Sequence, residues 1–289
     1  MTGKRLVVAL ILVVVFDLAV LSTARAAEPG VTYTPLGIPV LMYHQLAPRL
    51  VSIRSRHNVL VTPEVLERQM QYLEENGYTT ITCKQLAAYL HEGEALPPRP
   101  VLITFDDGWR SVFLHAFPVL QRHRMKATVF LITAMVGKME ALTDPVQAIA
   151  GLGAYLSWDE VREMAESGLV RFESHTHNLH FADSRRRAGM DIVSREYLLE
   201  DLQESIRLIE QATGYRPVAF AYPYGHYRKS YEDSLERTGI SLAFTTRSGE
   251  THFGDNPYTL RRITIYPFHE DLGRVLKVVP PVMPRSVRW

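Results

Sequence analysis

Short apolar runs alternate with amphipathic helical patterns along most of this chain, and that alternation constrains the fold more than any single residue does. "IPVLMYH", "YTTITC", "VLITF", "ATVFLI", "LVRFESH", "VAFAY", "SLAFTT" and "LRRITIY" read as strands. Between them, Thr62 reads as a helix cap with Pro63 at the first helical position, Leu66, Met70 and Leu73 at helical spacing, and Gly77 as the stop. Ser157 and Glu160 form a capping box that opens a second helix. From Arg195 to Thr213 the residues Leu198, Leu202, Ile206 and Ile209 make one apolar stripe, ended by Gly214. Further helical stretches run up to Arg124 and from about Ser230 to Thr238. Such alternation predicts a parallel α/β architecture, a barrel or a doubly wound sheet, because consecutive parallel strands need a crossover between them. In both folds the loops after the strands converge on one face, and Asp106, Asp107, His175 and Tyr224 all stand at such strand ends.

The 32 basic and 31 acidic residues leave a net charge of +1, so there is no field for gathering nucleic-acid phosphates. A polymer with little charge fits such a surface better. Lys4 and Arg5, an apolar run from Leu6 to Leu21, and Ala24, Ala26 and Ala27 have the layout of a secretory signal over residues 1–27. The rival reading is an uncleaved membrane anchor, which Asp17 in the middle of the run weakens. Either way residues 28–289 form one domain on the exported side, periplasmic or extracellular. The single cysteine, Cys83, has no partner for an internal disulfide and reads as an inert thiol at a buried strand position.

Neighbouring residues of a strand point to opposite faces, so Asp106 and Asp107 share a site only if the strand ends there, as Gly108 suggests. Two crowded carboxylates repel unless a cation joins them, which points to a metal; capping of the following helix is the plainer alternative. His175, His177 and His180 crowd the end of another apolar run. Imidazole is the usual zinc ligand, and two imidazoles with one carboxylate leave coordination positions open, as in catalytic sites.

"TFDDG", then "SHTHNLH" and "AYPYG" in that order, resemble the polysaccharide deacetylases of carbohydrate esterase family four, the NodB-homology domain. The resemblance covers Pro39 to Pro267, and "PVLMYHQL" is most similar to the branch that deacetylates poly-β-1,6-linked N-acetylglucosamine in biofilm matrix. It implies a distorted, incomplete (β/α) barrel with fewer than eight regular strands. It implies Asp106 as general base and Asp107 as metal ligand, completed by His175 and by His180, with His177 the competitor for the last place. The family's "YPYG" stretch, here with Tyr222, Pro223 and Tyr224, lines the sugar groove, and the Tyr224 N–H would help hold the oxyanion. Trp109, His226 and Tyr227 are further candidates for sugar contact.

The sequence departs from many relatives in three places. Ala221 stands where they carry the arginine that orients the base, which leaves Arg261 or Arg262 for that task. No Asp-x-x-x-Trp motif appears late in the chain, and the usual leucine-and-histidine motif near the C-terminus is missing. "LMYH" offers the same residue types earlier, so His44 is expected as general acid and His269 as its rival.

The implied reaction is metal-dependent hydrolysis of N-acetyl groups, with zinc the default ion and a polysaccharide as partner, alongside the polymer's export machinery. Two rivals remain, an O-acetyl esterase on a surface polysaccharide and a non-catalytic carbohydrate-binding protein that keeps the groove. A non-haem iron oxygenase would want an HxD followed by a later histidine; the only HxD, at His269 to Asp271, has none after it.

Overall fold

The computed structural model describes residues 37–48, 59–140 and 152–276; the leader expected over residues 1–27 lies outside them. Eight strands lie in the described residues: β1 (Val40–Tyr43), β2 (Thr79–Thr80), β3 (Pro100–Phe105), β4 (Ala127–Leu131), β5 (Val170–Ser174), β6 (Ala219–Ala221), β7 (Leu242–Ser248) and β8 (Leu260–Thr264). Every pairing among them is parallel. Because β1 pairs with both β3 and β8, seven strands close into a barrel in the order β1-β3-β4-β5-β6-β7-β8, with β2 added beside the start of β3. The fold is therefore the expected distorted (β/α) barrel, one strand short of the regular eight.

Around it lie α1 (Pro63–Glu75), α2 (Cys83–Glu92), α3 (Phe117–His123), α4 (Trp158–Glu166), α5 (Gly189–Ile192), α6 (Arg195–Thr213), α7 (Glu232–Arg237) and α8 (Leu272–Val275). Their ends are chemically marked: Thr62, Thr82, Ser157 and Ser194 accept backbone N–H groups at the starts of α1, α2, α4 and α6, and Gly214 ends α6 with φ at 76°. Alternation along each strand sorts the core. Leu41, Tyr43, Val101, Ile103, Phe105, Val129 and Phe172 face outward, under α1, α3 and α4, whereas Val40, Leu102, Phe130, Ala221 and Phe244 fill the barrel.

Helix α2 is unlike the others. Ile81, Cys83, Leu86 and Tyr89 pack against the barrel's interior residues, so α2 closes the N-terminal mouth instead of lining a flank. The strand expected over "YTTITC" shortens to β2, and Cys83 is the first residue of α2, not a strand position; Thr82 caps the helix there and overrides the β-branched run before it. Its thiol is buried as expected, and burial raises its pKa well above the usual value.

The joint between β5 and β6 is the weakest in the ring, with one register pair, Ser174 with Phe220. Side chains complete it: the Phe172 N–H donates to the Tyr215 hydroxyl at 2.7 Å, and the Val218 and Ala219 N–H groups donate to one oxygen of the Glu173 carboxyl at 2.7 and 2.8 Å. No helix among the described residues is long and apolar enough to cross a membrane.

Candidate active site

Asp106 continues the inward face of β3 set by Leu102 and Thr104, so on strand periodicity Asp107 should point the other way. It does not, because Asp107 has φ at +74° and Gly108 at +82°, a left-handed turn that swings its side chain back over the barrel mouth. Gly108 also needs its lack of a side chain, since a Cβ would sit 2.7 Å from a Leu131 methyl. Thr176 at +74° and Tyr224 at +58° turn the chain in the same way after β5 and β6. Three non-glycine residues in this conformation, after β3, β5 and β6, concentrate strain at one face of the barrel.

The turns bring Asp107, His175 and His180 together, with their ligand atoms within 4.8 Å of one another. The Nε2 atoms of His175 and His180 each lie 3.4 Å from Asp107 Oδ1. That is long for a hydrogen bond, but it is the spacing of two ligands each about 2.1 Å from one tetrahedral ion, about 3.4 Å. The His175 Nδ1 meets the Ala221 carbonyl at 2.7 Å, which leaves its Nε2 lone pair for a cation. Burial, and next the neighbouring His175, push the His180 pKa down to about 4, so that imidazole is neutral near pH 7. The donor set fits a zinc-like ion.

His177 is not part of this group: its Nδ1 meets the Thr133 hydroxyl at 3.0 Å, and its backbone N–H donates to Asp201 at 2.8 Å. Of the two arginines weighed, Arg262 reaches the base. It is fully buried, and its two terminal nitrogens donate to the two oxygens of Asp106 at 2.7 Å each. Arg261 is exposed and donates to the Ser248 carbonyl. Burial alone would raise the Asp106 pKa, but Arg262 outweighs it and holds the carboxyl below its ordinary value.

His44 lies at the end of β1, close enough for its imidazole to help lower the pKa of both aspartates, and its buried Nδ1 has no hydrogen-bond partner among the described residues. His269 packs edge-on against Tyr266 and Phe268 in the loop after β8 and accepts the Tyr266 N–H.

Tyr222 is a correction. It was expected to touch the sugar, but it continues the outward face of β6 and is fully buried against Phe220, Tyr227 and Tyr231, with its hydroxyl unpaired among the described residues. Pro223 is buried too and serves the turn instead of the groove surface. Tyr224 is 55% exposed, with its ring 4.7 Å from that of His180. The half-buried Trp109 stacks on Tyr155 at 4.2 Å and donates its indole N–H to Asp107 Oδ2 at 2.9 Å, so its first partner is the carboxylate.

Sequence reasoning missed the residues that hold these loops. Asp201 on α6 accepts the His177 and Asn178 N–H groups at 2.8 and 2.7 Å. Asp191, with its side chain 1% exposed, takes His226 at 2.8 Å, Arg228 at 2.6 Å and the Tyr231 hydroxyl. The one signal for Asp201 was an acidic residue beside the apolar stripe of α6.

The family model for polysaccharide deacetylase matches residues 93–243, a stretch that carries both aspartates and all three histidines. The chain belongs to the polysaccharide deacetylase family. These enzymes are hydrolases, and a polysaccharide is the substrate class. A poly-β-1,6-N-acetyl-D-glucosamine N-deacetylase of Staphylococcus aureus is 27% identical over 208 residues, 72% of this chain and 68% of that one. Among solved structures, IcaB from Ammonifex degensii superposes with a TM-score of 0.69 at 30% identity, covering 80% of this chain and 92% of that one. The Streptococcus pyogenes deacetylase PplD in complex with acetate superposes with a TM-score of 0.68 at 25% identity, covering 81% and 95%.

Proposed function

We propose that this polysaccharide deacetylase removes N-acetyl groups from an exported N-acetylglucosamine polymer, with poly-β-1,6-N-acetylglucosamine favoured, and that it needs a divalent ion, zinc by default. The observation that carries the reading is the pairing of a three-ligand cluster spaced for one ion with an adjacent carboxylate held ionised by a buried arginine. Asp107, His175 and His180 would hold the ion, which supplies Lewis-acid polarisation of the acetamide carbonyl and an acidified water. Asp106, ionised at neutral pH, accepts a proton from the attacking water. His44, beside both aspartates, donates to the leaving nitrogen, and the Tyr224 N–H faces the developing oxyanion. Acetate and a free amine result. The β-1,6 preference rests on the activity for which the staphylococcal relative is named, and export rests on the signal-like layout of residues 1–27.

The test is acetate release from β-1,6- and β-1,4-linked N-acetylglucosamine oligomers by chelator-stripped protein, with and without zinc. Zinc-dependent release that favours the β-1,6 oligomer is expected. Release indifferent to chelation would overturn the metal role, and a β-1,4 preference would overturn the polymer.

A further inference from the structure

Gln69 interrupts the apolar stripe of α1. Val65, Leu66, Met70 and Leu73 are buried there, as a helix packed on a barrel requires, and Gln69 is buried with them at 0% exposure. A carboxamide in such a place destabilises the fold unless both its ends find partners, so those partners carry the reason for it. Gln69 Oε1 accepts the Tyr43 hydroxyl at 2.8 Å, and Nε2 donates to the His269 carbonyl at 2.6 Å. A carbonyl can only accept, so His269 fixes which end of the carboxamide is nitrogen and turns the oxygen toward Tyr43.

The two partners belong to strand ends that meet at the reaction centre. Tyr43 is the residue before His44, and Phe105 is the residue before Asp106. They are in register across β1 and β3, and their rings stack at 5.2 Å on the outer face. The Asp106 N–H continues that pairing by donating to the Tyr43 carbonyl at 3.0 Å. Tyr43 therefore stands behind the point where β1 and β3 release His44 and Asp106. His269 lies in the loop after β8, whose Ile265 N–H donates to the Met42 carbonyl at 2.9 Å. One side chain of α1 thus ties the ends of β1 and β8 together, and through the Tyr43 stack it reaches the end of β3.

His44 needs such a tie. A working imidazole is ordinarily aimed by a hydrogen bond at the nitrogen it does not use, and the buried Nδ1 of His44 has no such partner among the described residues. Its direction then depends on where its own backbone is held. We infer that Gln69 is a positioning residue for His44: by gripping the Tyr43 hydroxyl from behind, it fixes the end of β1 and with it the placement of the imidazole against Asp106. The inference rests on the proposed reaction, in which His44 is the acid. The ligand histidines follow β5, across the ring from β1, so loss of the grip disturbs the acid and spares the ion site.

The experiment compares Q69M, Y43F and the double variant Y43F/Q69M with the wild type in melting temperature, in kcat and KM for acetate release, and in zinc affinity by chelator competition. Q69M keeps the length of the side chain, and Y43F keeps the ring. Each single change strands a buried polar atom and lowers the melting temperature, whereas the double change removes hydroxyl and carboxamide together and lets it recover. We expect kcat to fall about tenfold in all three, with KM and zinc affinity within about twofold of the wild type. A kcat that returns with the melting temperature in the double variant would overturn the inference, because activity would then follow stability alone; an unchanged kcat in Q69M would do the same. The His44 imidazole resonance, assigned by its loss in H44Q, is recorded by NMR on the chelator-stripped proteins alongside. A shifted or doubled resonance in Y43F/Q69M is expected, and an unmoved one sinks the positioning role. If the wild type releases no acetate, the proposed reaction fails, and this resonance alone decides whether Gln69 places His44.

Discussion

At the scale of single residues, the second oxygen of Asp107 explains why an indole follows the aspartate pair. Trp109 donates to Oδ2, which leaves Oδ1 facing both imidazoles, and its stack on Tyr155 fixes the direction of that N–H. Outer partners of this kind orient a ligand and set its basicity. W109F keeps an aromatic ring for the stack and removes the donor. We expect zinc affinity, measured by chelator competition, to fall by about tenfold in W109F. Unchanged affinity would reduce Trp109 to packing.

At the scale of elements, α6 links the core to the site. Its apolar stripe of Leu198, Leu202, Ile206 and Ile209 is buried, and interleaved with it are the buried polar residues Asp201 and Ser205. Ser205 meets the Ser174 hydroxyl at 2.8 Å, and Asp201 takes two N–H groups of the turn that carries His177 and leads to His180. The helix therefore holds the histidine turn in place while its apolar face anchors the helix itself. D201A leaves two backbone donors unpaired in a half-closed turn, at a cost of about 1–3 kcal/mol for each buried group. It should lower the melting temperature and weaken zinc binding together. A variant with lowered stability and wild-type zinc affinity would show that the turn keeps its shape without Asp201.

At the scale of the whole molecule, the barrel is closed partly by two buried carboxyl groups. Arg262 on β8 grips Asp106 at the end of β3 across the barrel, and Glu173 bridges the thin joint between β5 and β6. The two carboxyls respond oppositely to pH. The Asp106 pKa is depressed, so its stabilisation is present above the unfolded value of 3.8 and is lost as the pH falls. Burial raises Glu173 from 4.5 to about 8, against its two backbone donors, so the native state keeps a proton that the unfolded chain releases. Its contribution therefore falls as pH rises from about 4.5 to 8. E173Q removes that titration and keeps an acceptor for Val218 and Ala219. Its melting temperature relative to the wild type should climb across this window; a constant difference would mean that Glu173 is already ionised in the native protein.

What the amino-acid order determined by itself was whatever is encoded locally. Strand and helix alternation, the caps at Thr62 and Ser157, and the span of α6 depend on neighbours a few residues away, and all were legible. Asp107 and the histidine cluster after β5 were legible as a group because the two loops end on one barrel face, while the choice of His180 over His177 came from the family resemblance and not from spacing. Long-range geometry decided the rest. Arg262 lies 156 positions from Asp106, and only closure of the barrel selects it over Arg261. Strand parity sends Tyr222 into the core, and the positive-φ turn at Tyr224 turns that ring out beside His180. Backbone turns at positive φ put Asp107 on the same side as Asp106, against the alternation that strands impose. Those outcomes depend on which strands meet, and no local pattern records that.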